Sequence, residues 1–566
     1  MTRSSLPSCR TVVRRGADAD RRANPARLLC LLALLAAGAG LLACAGADAG
    51  PAPGTDAPQA ADADARTADA LPDPSRGGRP PWLQPPARPA HGVVFVDVTV
   101  VPMDGSGPRP GQTVRVERDR IVAIDDVDSA RIPEKATVVD GRGRYLMPGL
   151  ADMHVHLLDA GHLLLYVATG VTTVRNMWGW IGTLRLRKAI DDGERLGPRI
   201  VSTGAILDGK PPIWPGSTVA DTPEAARAAV ALTAASGFEQ VKVYNRLQRA
   251  AYDAVIEAAA AHDLPVVGHV PDRVGIAHAL AQRQRSVEHL SGYIAALSDT
   301  LASETADGDD PPDRDDAGDD DNPHALQVLQ RRMVAQARGD QPLVARIGRD
   351  ARKRLARLTR DAGTWNVPTL IVTERFFTGG DARRALLQAP AMRYVEPRLR
   401  AAWAAEGDFR APEFDDAARD LMMRWMPVRK AMTRALVDAG APILVGTDAP
   451  NPLVVPGFAI HDELALLVDA GLTPRQVLTA ATRDAARFLG EDDDWGTVRV
   501  GQRADLLLLD ADPLADVAHV GPTHQVGVLV AGRWLTRDAL RVRLDALAAR
   551  HARRPFAPPV ANDTLD

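Results

Sequence analysis

Cysteine is nearly absent from this chain. Its 566 residues hold three, Cys9, Cys30 and Cys44, all before residue 45. The long remainder therefore carries neither a disulfide framework nor a thiolate metal site, and any metal there needs imidazole, carboxylate or a less usual ligand. Lysine is scarce too. Only Lys135, Lys188, Lys210, Lys242, Lys353 and Lys430 stand among 68 basic residues, the other 62 being arginine. Each lysine is therefore worth inspecting. An excess of one charge is also missing: the formal net charge is −4, which excludes the basic footprint of a nucleic-acid or anionic-membrane binder. A hydrophobic share of 46% beside 25% charged residues is that of an ordinary globular chain, and the length allows several domains or one large one.

Residues 1–27 carry seven arginines, and residues 28–43 (LLCLLALLAAGAGLLA) are apolar and small. A basic stretch before a short apolar one predicts an export signal and is too short for a membrane span. It ends in Leu41-Leu42-Ala43-Cys44, which resembles the lipobox of bacterial lipoproteins. The resemblance implies lipid attachment at Cys44, an anchor in the membrane through that lipid alone, and a periplasmic body. A plain secretory signal and an uncleaved anchor are the alternatives. Residues 45–90, rich in Ala, Asp, Pro and Gly, predict a disordered tether.

From Gly92 the pattern is β: VVFVDVTVV, TVRVERDRIVAI and ATVVDGRGRYLMPG, cut by Gly, Asp and Pro turns. GTVRVGQRADLLLLD and VGVLVAGRWL repeat it near the far end. These runs predict a small composite β-sandwich built from 92–148 and 491–540. Between them, 149–490 alternates apolar strands with helical stretches. Strands are expected at Leu150–Val155, Thr172–Arg175, Arg199–Thr203, Gln240–Tyr244, Pro265–His269, Ser286–His289, Val367–Val372 and Pro442–Gly446. Helices are expected at Pro223–Ser236, Arg249–His262 and Pro427–Ala439. Eight strands with intervening helices predict an α/β fold, a TIM-like (β/α)8 barrel. Two insertions interrupt it: acidic 298–324, expected to be disordered, and mostly helical 373–425, which could cover a barrel mouth.

In such a barrel, catalytic groups project from the C-terminal strand ends. His154 and His156, two apart on one strand, leave by one face and can share a cation. Lys242, His269, His289 and Asp448 close or follow other apolar runs: QVKVY, PVVGH, SVEH and ILVGTD. Taken singly, each has a bland reading as a rim ion pair, a core-edge hydrogen bonder or a helix cap. Together they are what a multi-strand site requires. Lys242, flanked by Val241 and Val243, is the informative one. A desolvated lysine is partly a free amine, which can add carbon dioxide to form a carbamate, an anionic bidentate oxygen ligand.

HVH after a β segment, then VKVY, VVGH, SVEH and GTD in this order, resemble the amidohydrolase superfamily. The resemblance points to its imidazolonepropionase-like branch, which includes metal-dependent Xaa-Pro dipeptidases. It spans about residues 92–540. It implies two divalent metals, zinc by ligand type: one held by His154, His156 and Asp448, the other by His269 and His289. Carboxylated Lys242 and a hydroxide would bridge them. Asp448 would move the proton to the leaving nitrogen. A single-metal site with unmodified Lys242 is the competing arrangement. The chain departs from the family at Arg175-Asn176, where an Arg-Asp pair is common. Tyr244 and His461 are candidates to touch substrate. The activity implied is hydrolysis of a C–N bond in a small cyclic amide or a dipeptide. Ester, lactone or phosphotriester hydrolysis is the alternative on the same site, and a non-catalytic scaffold is the alternative from another class. An oligomer is possible.

Overall fold

The computed structural model describes residues 80–297, 348–404 and 416–553. The signal, Cys44, most of the expected tether and the 298–324 insertion lie outside the described residues. Residues 80–90, expected at the tether's end, are folded. Pro81–Leu83 form a 3-10 turn, Leu83 is buried in the main core, and Arg543 donates to the carbonyls of Trp82 and Gln84. Among the described residues no helix is long and apolar enough to cross a membrane.

The two β runs join in one eight-stranded sheet. From one edge its order is Arg533–Thr536, Gln525–Val530, Leu506–Leu509, Tyr145–Pro148, Val93–Val100, Arg109–Glu117 and Arg120–Asp126, with Thr137–Asp140 also pairing Val93–Val100. The splice is Leu506–Leu509 against Tyr145–Pro148, antiparallel, Leu508 opposite Leu146. Alternate residues Phe95, Val114, Val116, Leu146, Leu506 and Leu508 share a separate apolar core, as the period of two requires. The expected strand across 496–510 is shorter than its apolar reading. Only Leu506–Leu509 is extended, because Gly501 takes a left-handed turn at φ 91.

The central block is the expected barrel. Leu150–Val155, Val171–Asn176, Arg199–Asp208, Gln240–Val243, Val266–Gly268, Ser286–Glu288 and Trp365–Val367 pair in parallel in that order. The eighth stave, 442–449, closes the ring through single bridges on both sides: Ile443 with Asn366, and Ala449 with Val155. Helices fall where apolar periodicity and caps place them. Pro223–Ala235 starts at Thr222, whose hydroxyl accepts from Ala225 N, with proline in the first turn. Arg249–Ala261 and Met426–Ala439 follow, the latter ended by left-handed Gly440.

The expected strand Val367–Val372 is corrected. The strand ends at Val367 and a helix runs Leu370–Phe377. Pro368 cannot donate to a ladder, Thr369 turns at φ 44, and the buried Glu463 carboxylate accepts the N–H groups of Leu370 and Ile371 at 3.0 and 2.7 Å. The 373–425 insertion is helical where described, with Gly380–Leu387, Pro397–Ala404 and Asp416–Met423.

Candidate metal centre

Strand alternation puts Asp152, His154 and His156 on one side of the first barrel strand, facing the interior. There they meet the eighth stave. Asp152 accepts from Thr447 N at 3.0 Å and from the Thr447 hydroxyl at 2.6 Å. Asp448 N donates to the His154 carbonyl at 2.7 Å. The Asp448 carboxylate is thereby held between two imidazoles: Oδ1 lies 2.8 Å from His156 Nε2 and 3.3 Å from His154 Nε2. Gly446 is what lets the two strands approach, since a Cβ there would stand 2.5 Å from Val367 Cγ1 and 2.9 Å from His154 N.

His289 enters from the sixth strand's end, with Nε2 3.8 Å from Asp448 Oδ2. Its ring is 4.5 Å from that of His154 and 4.8 Å from that of His269. The ligand atoms of His154, His289 and Asp448 all lie within 4.8 Å of one another. This trio crosses the expected division, which placed His289 with His269 on the second metal, bridged to the first by Lys242. Lys242 is buried on the fourth strand between Ile206 and Val267. All six expected positions thus converge at one end of the barrel. Asp448 and His289 both have left-handed backbones, at φ 61 and φ 60. Such strain costs about 1–3 kcal/mol per residue and gathers at functional sites.

Each deep imidazole is oriented by its other nitrogen. His154 Nδ1 donates to Glu288 Oε2 at 2.8 Å, His269 Nδ1 to Asn245 Oδ1 at 2.6 Å, and His289 Nδ1 to the Thr369 hydroxyl at 2.6 Å. That hydroxyl passes its own proton to the Pro368 carbonyl at 2.9 Å. The lone pair is then on Nε2 in all three rings, the tautomer that metal ligation needs. Behind His154 stands a buried ion pair. Arg175 Nη2 donates to Glu288 Oε1 at 2.8 Å, Ser286 Oγ donates to the same oxygen at 2.5 Å, and Arg175 Nε donates to the Met153 carbonyl at 2.6 Å.

The charges agree with a cation site. Burial first, and then neighbouring cationic groups, hold His154 and His269 well below the usual imidazole range. Burial brings His289 down to about 4. These rings stay neutral and able to bind metal. Burial raises Asp448, but His289, His156 and Lys242 outweigh it and keep the carboxyl below its ordinary value. Burial lowers Lys242 to about 8 against the pull of Asp448 and Glu288. His154 Nε2 and His156 Nδ1 are buried with no hydrogen-bond partner. An unpaired buried polar atom costs about 1–3 kcal/mol, which a ligated ion would offset. The donor set fits a divalent metal.

Several functional neighbours escaped the sequence reading. Glu288 sits inside the SVEH motif, and Asp152 two residues before His154. A carboxylate in an apolar strand beside a candidate ligand was the available signal for both. Thr369, Asn245 and Glu463 had none, because their roles depend on long-range packing. At 176 the asparagine is used as both acceptor and donor: Oδ1 takes Leu157 N at 2.9 Å, while Nδ2 reaches the Trp178 carbonyl at 2.9 Å and Ser202 Oγ at 3.0 Å. A carboxylate could not donate to the Trp178 carbonyl. Tyr244 lies at the site, its ring 4.0 Å from that of His269. His461 instead donates to the Thr169 carbonyl at 3.0 Å and serves to join elements.

Replacing Glu288 with Ala is expected to weaken divalent-metal binding about 10- to 100-fold, the usual effect of losing a partner behind a ligand. Titration against a competing chelator measures it, and unchanged affinity would remove Glu288 from any role in the centre.

The model of the amidohydrolase family matches residues 425–535, the stretch that carries Asp448 and the return to the sheet. An imidazolonepropionase from Deinococcus deserti is 46% identical over 87 residues, 15% of this chain and 21% of that protein. The match therefore spans about a fifth of that relative's length. An imidazolonepropionase from Alkaliphilus metalliredigens aligns at 22% identity over 78% of this chain and 97% of its own. Among solved structures, a bottromycin amidohydrolase superposes with a TM-score of 0.59 at 25% identity, covering 80% of this chain and 90% of the other. Residues 425–535 thus match the amidohydrolase family, and over most of its length the chain is similar to an imidazolonepropionase and to an amidohydrolase of known structure.

Proposed function

We propose that this protein is an exported, metal-dependent hydrolase that cleaves a C–N bond, in a small amide or a dipeptide. The single observation that carries the reading is the convergence of His154, His289 and Asp448, whose ligand atoms all lie within 4.8 Å of one another. His154, His156, His269, His289 and Asp448 would hold two divalent ions, zinc by donor type. Bound there, such ions polarise a carbonyl and acidify water.

The chain's own residues do the rest. Asp448 is ionised near neutrality and stands where it can take a proton at a carboxylate oxygen and return it to the leaving nitrogen. His156 Nε2, 2.8 Å from Asp448 Oδ1, fixes which way that carboxylate faces. Lys242, lowered to about 8 by burial, has a substantial neutral fraction at physiological pH. Its amine can add carbon dioxide, losing a proton and becoming a carboxylate-bearing ligand between the two sets of imidazoles. Arginine has no equivalent chemistry. Export rests on the basic, apolar and Leu-Leu-Ala-Cys pattern before residue 45.

Protein purified in bicarbonate without chelator is expected to carry close to two metals per chain. Lys242→Arg should fall to about one, and a value of two in that variant would sink the carbamate bridge. Asp448→Asn should keep the fold and lose about 10²- to 10⁴-fold in turnover, the range for a missing acid–base group. A panel of matched amides, dipeptides and esters reads this, and wild-type rates in the variant would sink the mechanism. Preference for the esters would sink the C–N assignment. Cys44→Ser should abolish incorporation of labelled fatty acid and release the protein from membranes. An unlabelled wild-type chain would remove the lipid anchor from the proposal.

A further inference from the structure

Aromatic residues make up only 4% of the chain, yet three of them line one side of the metal centre without a break. Trp178 follows the second barrel strand, and its ring meets His156 edge-on at 6.3 Å. Trp214 follows the third strand, 6.2 Å from Trp178. Its indole N–H donates to the Tyr244 hydroxyl at 2.7 Å. Tyr244 follows the fourth strand and lies 4.0 Å from His269. An arc of rings thus runs from one outer imidazole of the centre to another, across three consecutive strand ends.

The arc is braced from behind. Asp208 Oδ1 accepts from Gly209 N and Arg246 N, both within 2.9 Å, and Oδ2 accepts from Ile213 N at 2.9 Å. One buried carboxylate therefore ties the Trp214 loop to the Tyr244 loop. The Trp178 carbonyl is held by Asn176, the residue at which this chain departs from its family. Trp178, Trp214 and Tyr244 are each only partly buried, so a part of each side chain reaches solvent. The centre is itself open on this end: the side chains of His156, His289 and Asp448 retain 16, 18 and 12% of their exposure. Rigid, partly buried rings beside reacting groups are the ordinary lining of a small-molecule pocket.

We propose that Trp178 and Trp214, backed by Tyr244, form a subsite for a flat aromatic ring carried next to the scissile carbonyl, so that the protein selects aryl-substituted amides. This rests on the C–N hydrolase reading for its catalytic part and on the ring geometry alone for its binding part.

The test separates the two. Wild-type protein should turn over N-benzoylglycine in preference to N-acetylglycine. In Trp178→Ala and in Trp214→Ala the ratio of kcat/KM for the two substrates should fall about tenfold, the scale of one lost ring contact and its buried area. The loss should sit in KM, and Trp178→Phe should restore most of it. Benzamide binding to metal-stripped protein, read by calorimetry, should weaken in the same alanine variants. Binding that behaves so in a protein that hydrolyses neither substrate would keep the subsite and overturn the hydrolase. Hydrolysis with a ratio unmoved by either alanine would overturn the subsite and keep the hydrolase.

Discussion

The candidate centre depends on the seam between the first barrel strand and the 442–449 stave. That seam has few regular ladder bonds, and it is made instead by a close approach. Gly446 admits the His154 backbone, Asp152 grips Thr447 twice, and Asp448 N bonds back to the His154 carbonyl. Together these fix a left-handed Asp448 against His154 and His156. The barrel's closure and the assembly of the centre are one event. The strain at Asp448 and His289 is carried by this buried, hydrogen-bonded frame.

Around the seam, the polar interior is organised in layers. Neutral imidazoles face the centre, and behind them stand groups that hold their outer nitrogens. Glu288 is the most exacting of these, because it serves His154 and neutralises Arg175 at once. A buried ion pair of this kind contributes little net stability, and its value lies in direction. Arg175 ties the second strand to the Met153 carbonyl and to the sixth strand's carboxylate, so three strands share one set of charges. Glu463 acts similarly at a distance. By capping the helix Leu370–Phe377, it fixes Thr369, which fixes His289.

Much of this was legible in the sequence, for particular reasons. The apolar strands ending in His, Lys or Asp announced both barrel and centre, since a polar residue closing an apolar run has few other uses in so many copies. Pro223 and Gly440 marked helix ends by their own chemistry. The missed features depend on contacts between distant residues. Val367–Val372 reads as a strand by composition alone, and the Glu463 carboxylate, nearly a hundred residues on, caps the helix into which its second half folds. The 442–449 stave was found by its apolar run, but its irregular pairing was not visible. Glu288 and Asp152 lay within the quoted motifs and still went unassigned, because adjacency to a ligand does not reveal which way a side chain is held.

The splice between the chain's two ends bears on synthesis as well as on shape. The strand Tyr145–Pro148 runs directly into the histidine-bearing strand Leu150–Val155, and its outer neighbour is Leu506–Leu509. Gly149 N bonds to the Asp505 carbonyl at 2.8 Å, between the two. A chain emerging from the ribosome therefore exposes the unpaired edge of Tyr145–Pro148 until more than three hundred further residues have been made. Contacts of such separation are slow to form and leave strand edges open to wrong partners. The last hundred residues, beyond every candidate ligand in the sequence, are in this sense an internal quality check: no nascent chain lacking them can finish the sheet that leads into the strand carrying His154.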